Sequence, residues 1–202
     1  MADCYIVRRG GAGGDERDTD IMFSIGYAGL LPPIEDVLNG GETKQPTLKI
    51  IDMYLPTEIY QQGKLYDTTP ADNISVVDLS TAIIIDNLTV NSAVKIYGGG
   101  MHSITYGWTY TVNVPENSDN SYELYIGVSA EGSNYDLAYV DVNGTQIGGY
   151  TTSSGTLTTH AIPLNLEYGD NTISVKYKKD SSASRGDDAV YIYGIACGKY
   201  RL

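Results

Sequence analysis

The run Ile104–Val114 constrains the fold of this 202-residue chain more than any other stretch. Apolar or aromatic residues occupy every second position, which is the period of a β-strand with one buried face. The expected buried set is Ile104, Tyr106, Trp108, Tyr110, Val112 and Val114. The run therefore predicts a long strand in an antiparallel sheet.

The chain beyond this run repeats the alternation in shorter segments. Strands are predicted at residues 121–129, 136–142, 145–150, 158–166, 172–178 and 189–196. Asn143-Gly144 lies between two of them, and this pair favours the positive φ angles of a tight hairpin turn. Strand signals are dense from Ile74 to Tyr200, with roughly eight or nine strands spaced as in a two-sheet sandwich. The sequence thus predicts an all-β, antiparallel β-sandwich domain at residues 71–202.

The first part of the chain, residues 1–70, has few alternating runs and many turn residues. A short apolar stretch and two arginines precede a glycine-rich run that cannot form a core of its own. We expect an irregular N-terminal arm that docks onto neighbouring subunits, and a flexible terminus is the alternative. The candidate docking residues are Tyr5, Ile6, Val7, Arg8 and Arg9.

The charge balance excludes several classes of partner. Twenty-five acidic residues against thirteen basic ones give a formal net charge of −12. Nucleic acids and anionic membrane surfaces attract basic faces, so neither is an expected partner. The longest apolar runs, such as residues 82–85, are too short to span a bilayer, so no membrane insertion is expected. No apolar segment follows Arg8 and Arg9, which predicts synthesis in a cytoplasm without a secretory signal.

The sequence contains no motif of a known catalytic centre. His102 and His160 are its two histidines, and neither lies near a nucleophile in a recognised spacing. We therefore expect a protein without enzymatic activity and without an organic cofactor.

One polar loop is a candidate metal site. Asp187 and Asp188 precede the last predicted strand, and loop carboxylates with nearby backbone carbonyls are typical ligands of Ca²⁺. The alternative is a solvated turn without a metal.

Three aromatic residues are candidates for binding a sugar ring. Carbohydrate sites combine an exposed aromatic ring with surrounding polar side chains. Tyr135 and Tyr150 lie in or beside glycine-containing segments and are candidates on that ground. Trp108 is the third candidate, although its place in the alternating run favours a core position.

Four segments resemble the galactose-binding-like jelly rolls of carbohydrate-binding modules. They read YELYIGVSAEG, YVDVNGTQIG, IPLNLEYGDNTISVKY and GDDAVYIYGI, beginning at residues 122, 139, 162 and 186. The resemblance lies in an opening strand, a hairpin around Asn-Gly, a turn followed by a strand, and a closing strand after a polar loop. It implies a jelly-roll sandwich and a surface that binds glycans.

The N-terminal segment CYIVRRGGAGG resembles the short openings of tail and other virion-associated proteins from phages of Gram-positive bacteria. This resemblance implies a virion structural protein, of tail-fibre or capsid-decoration type, made in the cytoplasm of a bacterial host. Its expected partners are other virion proteins, further copies of itself in a homo-oligomer, and host surface polysaccharide. The alternative is a carbohydrate-binding module that acts outside a virion.

Overall fold

The computed structural model describes residues 4–7, 21–24, 47–99, 104–118, 120–131, 136–151, 155–180 and 186–201. The chain divides into two compact units. The smaller consists of residues 1–48 with 200–202, and the larger consists of Lys49–Lys199. No helix among the described residues is long and apolar enough to cross a membrane.

In the smaller unit, strand β1 (Cys4–Val7) pairs antiparallel with β2 (Ile21–Ser24). Cys4 lies opposite Ser24 at one end of this ribbon. Tyr5, Ile6 and Val7 therefore form a strand, as expected, while Arg8 and Arg9 lie outside the described residues. The role of these residues in assembly stays a prediction.

The larger unit begins with a strand and a short helix. These are β3 (Thr47–Tyr54) and α1 (Pro56–Gln62), followed by β4 (Lys64–Leu65) and a 3-10 turn at Ala71–Asn73. The remaining strands are β5 (Ile74–Ile85), β6 (Leu88–Tyr97), β7 (Ile104–Val114), β8 (Ser121–Ser129), β9 (Leu137–Val142), β10 (Thr145–Tyr150), β11 (Thr158–Leu164), β12 (Gly169–Lys179) and β13 (Ala189–Arg201).

These strands form two antiparallel sheets. The five-stranded sheet has the order β10-β9-β12-β7-β4. The six-stranded sheet has the order β11-β8-β13-β6-β5, and β3 also pairs with β13. Apolar residues on the inner faces of both sheets share one core. The all-β antiparallel sandwich expected from the sequence is confirmed.

The pairing of β7 with β12 is the longest continuous one in the five-stranded sheet. All eleven residues of β7 pair with β12 in one unbroken register, from Ile104 opposite Lys179 to Val114 opposite Gly169. The alternation places Trp108 and Val175, which pair with each other, on the inner face. Because the side-chain period is two, Gly107 and Lys176 then lie on the outer face. The run that dominates the sequence is thus confirmed as a strand with the expected bounds.

The boundary between the two units differs from the expected one. The larger unit begins at Lys49 rather than near residue 71. The segment after β3 had the pattern of an irregular polar stretch, yet it forms α1 with Pro56 at its first turn. Ile59 of this helix is 1% exposed and packs in the core, and β4 pairs with β7. A helix with so few core residues has no clear amphipathic period, so the sequence pattern did not reveal it.

Replacing Ile59 with Ala tests whether this segment belongs to the core. We expect Ile59→Ala to lower the free energy of unfolding by roughly 2–5 kcal/mol, because it removes buried methyl groups and leaves a cavity. Urea denaturation measures the change. Ile51→Ala is the matched control, since Ile51 is 51% exposed and its loss should cost less than about 1 kcal/mol. Equal effects of the two substitutions would contradict the assignment.

Candidate functional site

The outer face of the five-stranded sheet carries a polar and aromatic surface. We call this surface the Lys176 face. It consists of six residues: Tyr66, Thr109, Tyr139, Asp141, Ser174 and Lys176. Pairing places these side chains in two adjacent rows, because residues opposite each other in a sheet project to the same side. One row joins Tyr139, Lys176 and Gly107. The other joins Asp141, Ser174 and Thr109.

Tyr66 extends the first row at the edge of the sheet. Its backbone N–H donates to the carbonyl oxygen of Gly107 at 2.9 Å. Its ring centroid lies 4.8 Å from the Lys176 ammonium, within the range of a cation–π contact. Across the sheet, Tyr66 and Tyr139 are separated by three inter-strand spacings. Each spacing is about 4.8 Å, so their backbones are about 14 Å apart. The two rings therefore flank Lys176 along one line across the sheet.

Gly107 leaves room for this arrangement. A Cβ atom at this position would lie 2.7 Å from the carbonyl oxygen of Val175 and 3.0 Å from Cβ of Tyr66. Both distances are shorter than ordinary van der Waals contact, so a larger residue would push Tyr66 away from the sheet. The absence of a side chain at Gly107 thus allows Tyr66 to lie close to the sheet.

Lys176 and Asp141 form an ion pair at the centre of the face. The Lys176 ammonium donates to Oδ2 of Asp141, and about an eighth of each side chain is exposed. Partial burial by itself would lower the pKa of Lys176, but the hydrogen bond and charge of Asp141 raise it above the usual lysine value. Lys176 therefore stays protonated at neutral pH.

Asp141 keeps one unused acceptor. Its Oδ1 atom is buried and has no hydrogen-bond partner among the described residues. An unpaired buried carboxylate oxygen is unfavourable, so a hydrogen-bond donor at this position would stabilise it. The Ser174 and Thr109 hydroxyls, which hydrogen-bond to each other at 2.9 Å, lie in the same row.

The face combines two chemical properties. The tyrosine rings offer flat apolar surfaces with hydroxyl tips. Lys176 between them offers an ammonium group, and the adjacent row offers hydrogen-bond acceptors. Such a surface suits a ligand that has apolar C–H faces and many hydroxyl groups. The ion pair leaves no unpaired formal charge on the face, because Lys176 neutralises Asp141.

Trp108 does not contribute to an exposed sugar-binding surface. Its side chain is 7% exposed, and its indole N–H donates to the carbonyl oxygen of Ile59 at 2.9 Å. The Tyr60 ring stacks on the indole, with centroids 5.4 Å apart and an angle of 14° between the rings. Trp108 is therefore a core residue, as its place in the alternating run favoured.

Tyr150 and Tyr135 had been selected for their glycine-rich surroundings. Tyr150 is half-buried, packs against the core cluster and makes a tilted ring contact with His160 at 5.2 Å. Burial raises the pKa of its hydroxyl. Tyr135 lies outside the described residues. Tyr150 does not belong to the Lys176 face, and the role of both residues in glycan binding stays a prediction.

The two candidate calcium ligands differ in their surroundings. Asp187 is exposed, and its Oδ2 atom accepts a hydrogen bond from the Tyr191 hydroxyl at 2.6 Å. Asp188 is buried, and its Oδ1 atom lies 3.9 Å from the Lys179 ammonium. Among the residues that the structure describes, no three or more His, Cys, Asp or Glu side chains are grouped so that they could hold a metal ion. Calcium binding by this pair stays a prediction.

Lys179 is the centre of a buried charge cluster at this end of the sandwich. Its fully buried ammonium lies 3.0 Å from Oδ2 of Asp136 and 3.9 Å from a carboxylate oxygen of Asp180. The Tyr177 hydroxyl also donates to Oδ2 of Asp136, at 3.1 Å. Burial alone would lower the pKa of Lys179, but the hydrogen bond and charge of Asp136 raise it. The cation that Asp188 faces is therefore an ammonium group of the chain itself.

The residues of the Lys176 face were missed as a binding site by sequence reasoning. Alternation in β9 places Tyr139 and Asp141 on the side opposite Val140, and alternation in β12 places Lys176 on the side opposite Val175. These signals show which side chains are exposed, but they do not show which strands are neighbours. No signal in the sequence pointed to Tyr66, because its position depends on the edge pairing of β4 with β7.

Comparison with known proteins gives structural neighbours only. The sequence matches no protein-family model and no curated protein. The structure is similar to a family 35 carbohydrate-binding module from Clostridium thermocellum, with 20% identity and a TM-score of 0.44, over 73% of this chain and 98% of that one. It is also similar to the mannan-recognising module TmCBM27, with 13% identity and a TM-score of 0.45, over 77% of this chain and 99% of that one.

A third neighbour is TmCBM61, solved with β-1,4-galactotriose. It has 13% identity and a TM-score of 0.43, over 67% of this chain and 86% of that one. All three neighbours are carbohydrate-binding modules. Similarity at this level assigns neither a ligand nor a binding surface to the present chain.

The importance of the Lys179 cluster can be tested with Asp136→Ala. We expect this substitution to lower the free energy of unfolding by roughly 3–5 kcal/mol, because it leaves a buried ammonium without its nearest counter-charge. Urea denaturation at neutral pH measures the change. Asp170→Ala is the control, since Asp170 is exposed and should contribute less than about 1 kcal/mol. A loss of similar size in both variants would show that Asp136 is not the essential partner.

Proposed function

We propose that this chain is a non-enzymatic β-sandwich that binds a carbohydrate chain on the Lys176 face. The observation that carries the proposal is the line of Tyr66, Lys176 and Tyr139 across the sheet. Aromatic rings pack against the C–H faces of sugars, and carboxylate and hydroxyl oxygens accept hydrogen bonds from sugar hydroxyls.

The spacing of the rings favours an oligosaccharide over a single sugar. A line of about 14 Å between the two tyrosine backbones is longer than one pyranose ring. The ligand would lie across the strands, with a sugar on each ring and hydroxyl groups directed at the adjacent polar row. Each contact is weak alone, and the sum of several contacts provides the affinity.

The charge state of the face favours binding over catalysis. Acid–base chemistry on glycosides uses two carboxyl groups on opposite sides of the scissile bond. Asp141 is the carboxylate of this face, and Lys176 neutralises it. We therefore assign the face a binding role and no chemical step.

Alanine substitutions of the two rings test the proposal. Calorimetric titration with a panel of soluble oligosaccharides would begin with galactotriose and mannan oligosaccharides, because two similar modules recognise such ligands. We expect Tyr66→Ala and Tyr139→Ala each to weaken binding about tenfold, which corresponds to roughly 1.4 kcal/mol. The loss follows from the removal of one stacking surface.

Tyr168→Ala is the control for these variants. Tyr168 is 62% exposed and lies by a shallow pocket lined by Asn113, Pro115 and Glu116, away from the Lys176 face. Its replacement should leave the affinity unchanged. If Tyr168→Ala abolished binding while the other two variants bound normally, the ligand would occupy that pocket and the proposal would be wrong.

We further propose that the chain acts in a phage virion, with its N-terminal region contacting neighbouring subunits and the sandwich facing host glycans. The support is the small size of the β1–β2 ribbon, whose strands have four residues each. A two-stranded ribbon of this size is at best marginally stable alone. A neighbouring subunit would supply the missing packing surface, and several copies would strengthen weak glycan binding by avidity. The alternative setting is a carbohydrate-binding module outside a virion.

The oligomeric state tests this setting. We expect light scattering of the full chain to give the mass of a homo-oligomer, or else a monomer from which limited proteolysis rapidly removes the N-terminal region. Either result follows if the ribbon needs a partner for stability. A monomer whose N-terminal region resists protease would contradict the docking role and favour the alternative setting.

A further inference from the structure

The outer face of the six-stranded sheet carries a lysine held between two aromatic rings. The ammonium of Lys95 on β6 lies 5.4 Å from the ring centroid of Tyr97 and 5.4 Å from that of Tyr191. Lys95 pairs with Tyr191 across the sheet, so the two side chains project to the same side. We call these three residues the Lys95 site.

Lys95 differs from the other two partly or fully buried lysines of the sandwich. Lys176 and Lys179 each form an ion pair with a carboxylate. Lys95 is half-buried as well, but within the described part of the chain no carboxylate forms an ion pair with it. Aromatic rings attract a cation through their electron-rich faces without neutralising its charge. The charge of Lys95 is therefore available to an anion.

Hydrogen bonds hold the two tyrosine residues beside this ammonium. Tyr191 is 7% exposed, and its hydroxyl donates to Oδ2 of Asp187 at 2.6 Å. The carbonyl oxygen of Tyr97 accepts a hydrogen bond from the Asn73 side chain at 2.6 Å, which anchors the backbone of that residue at the end of β6. A lysine side chain held in one conformation loses less entropy when it binds a ligand.

One ring of the site remains accessible. The Tyr97 side chain is 46% exposed, whereas Tyr191 is covered. An accessible aromatic ring beside an ammonium group offers both a stacking surface and a counter-charge to one ligand. Because the whole chain has a formal net charge of −12, a simple anion would be repelled at long range. A ligand must therefore combine its negative charge with a group that stacks on the ring.

We propose that the Lys95 site binds an anionic sugar residue of a glycan, with the sugar ring on Tyr97 and its carboxylate or phosphate on Lys95. This second site lies on the sheet opposite the Lys176 face and does not depend on binding there. A chain that binds neutral sugars on one sheet and acidic sugars on the other would distinguish glycans that carry acidic residues from those that do not.

Binding of trigalacturonate tests the inference, with its neutral methyl ester as the matched ligand. We expect the acid form to bind at least tenfold more tightly than the ester. The affinity for the acid form should fall as sodium chloride is raised, because salt screens the charge interaction. A poly(glycerol phosphate) oligomer is the third probe and distinguishes phosphate from carboxylate. Binding of either anion that depends on Lys95 supports the proposal and identifies the anionic group.

Three variants of the full chain assign the effect to this site. Lys95→Gln should weaken binding of the acidic probe at least tenfold, and Lys95→Arg should retain it, because Arg keeps the charge and stacks on aromatic rings. Lys178→Gln removes the same charge from an exposed position on the other sheet and should have little effect. Urea denaturation checks that each variant is folded.

Two results would overturn the proposal. One is equal binding of acid and ester by the unmodified chain, or no binding of either anionic probe. The other is a Lys95→Gln variant that is folded and binds the acidic probe normally. Neutral oligosaccharide binding that is lost in Tyr139→Ala but kept in Lys95→Gln would support the Lys176 face independently, so the two proposals can fail separately.

Discussion

The unbroken pairing of β7 with β12 determines the rest of the larger unit. Eleven residue pairs keep one register, so every apolar residue of both strands reaches the same side of the sheet. Trp108, Tyr110, Ile173 and Val175 are all buried there. Each side chain of this size contributes roughly 1.5–3 kcal/mol on burial. A shift by one residue would expose this whole set, so the inner face determines which residues form the outer face.

Two of the three lysines of β12, Lys176 and Lys179, illustrate this dependence. Lys176 lies on the outer face and Lys179, an odd number of residues away, lies on the inner side at the end of the strand. The neighbouring strand β9 and the residue before it supply a counter-charge to each, through Asp141 and Asp136. One of these pairs stabilises the end of the core, and the other lies at the centre of the proposed binding surface. The same strand pairing thus positions both a buried ion pair and the ion pair of the candidate site.

The sequence predicted much of the sandwich because alternation is a local signal. The bounds of β7, β8 and β10 and the Asn143-Gly144 turn agree with the structure, and both turn residues have positive φ angles. Strand β6 is less clear from the sequence, since polar residues on its exposed face interrupt the apolar pattern. Helix α1 was missed because tertiary contacts of Ile59 stabilise it more than its own pattern does.

The candidate site was less predictable for a different reason. The Lys176 face draws its residues from strands that are distant in sequence, with Tyr66 and Lys176 more than a hundred positions apart. Composition and alternation identify exposed tyrosines, but they do not show which of them lie on one sheet. Trp108 shows the converse: an aromatic residue that composition alone would favour for sugar binding is enclosed by Tyr60 and Ile59.

The central claim is that glycans bind across the strands of the five-stranded sheet. The most direct test is to follow the backbone amide NMR signals of the isotope-labelled chain during titration with an oligosaccharide that it binds. The account predicts the largest shifts at Tyr66, Tyr139, Asp141, Ser174 and Lys176, with small shifts on the opposite sheet for a neutral ligand. Shifts confined to the loops at either end of the sandwich, with the Lys176 face unchanged, would contradict it.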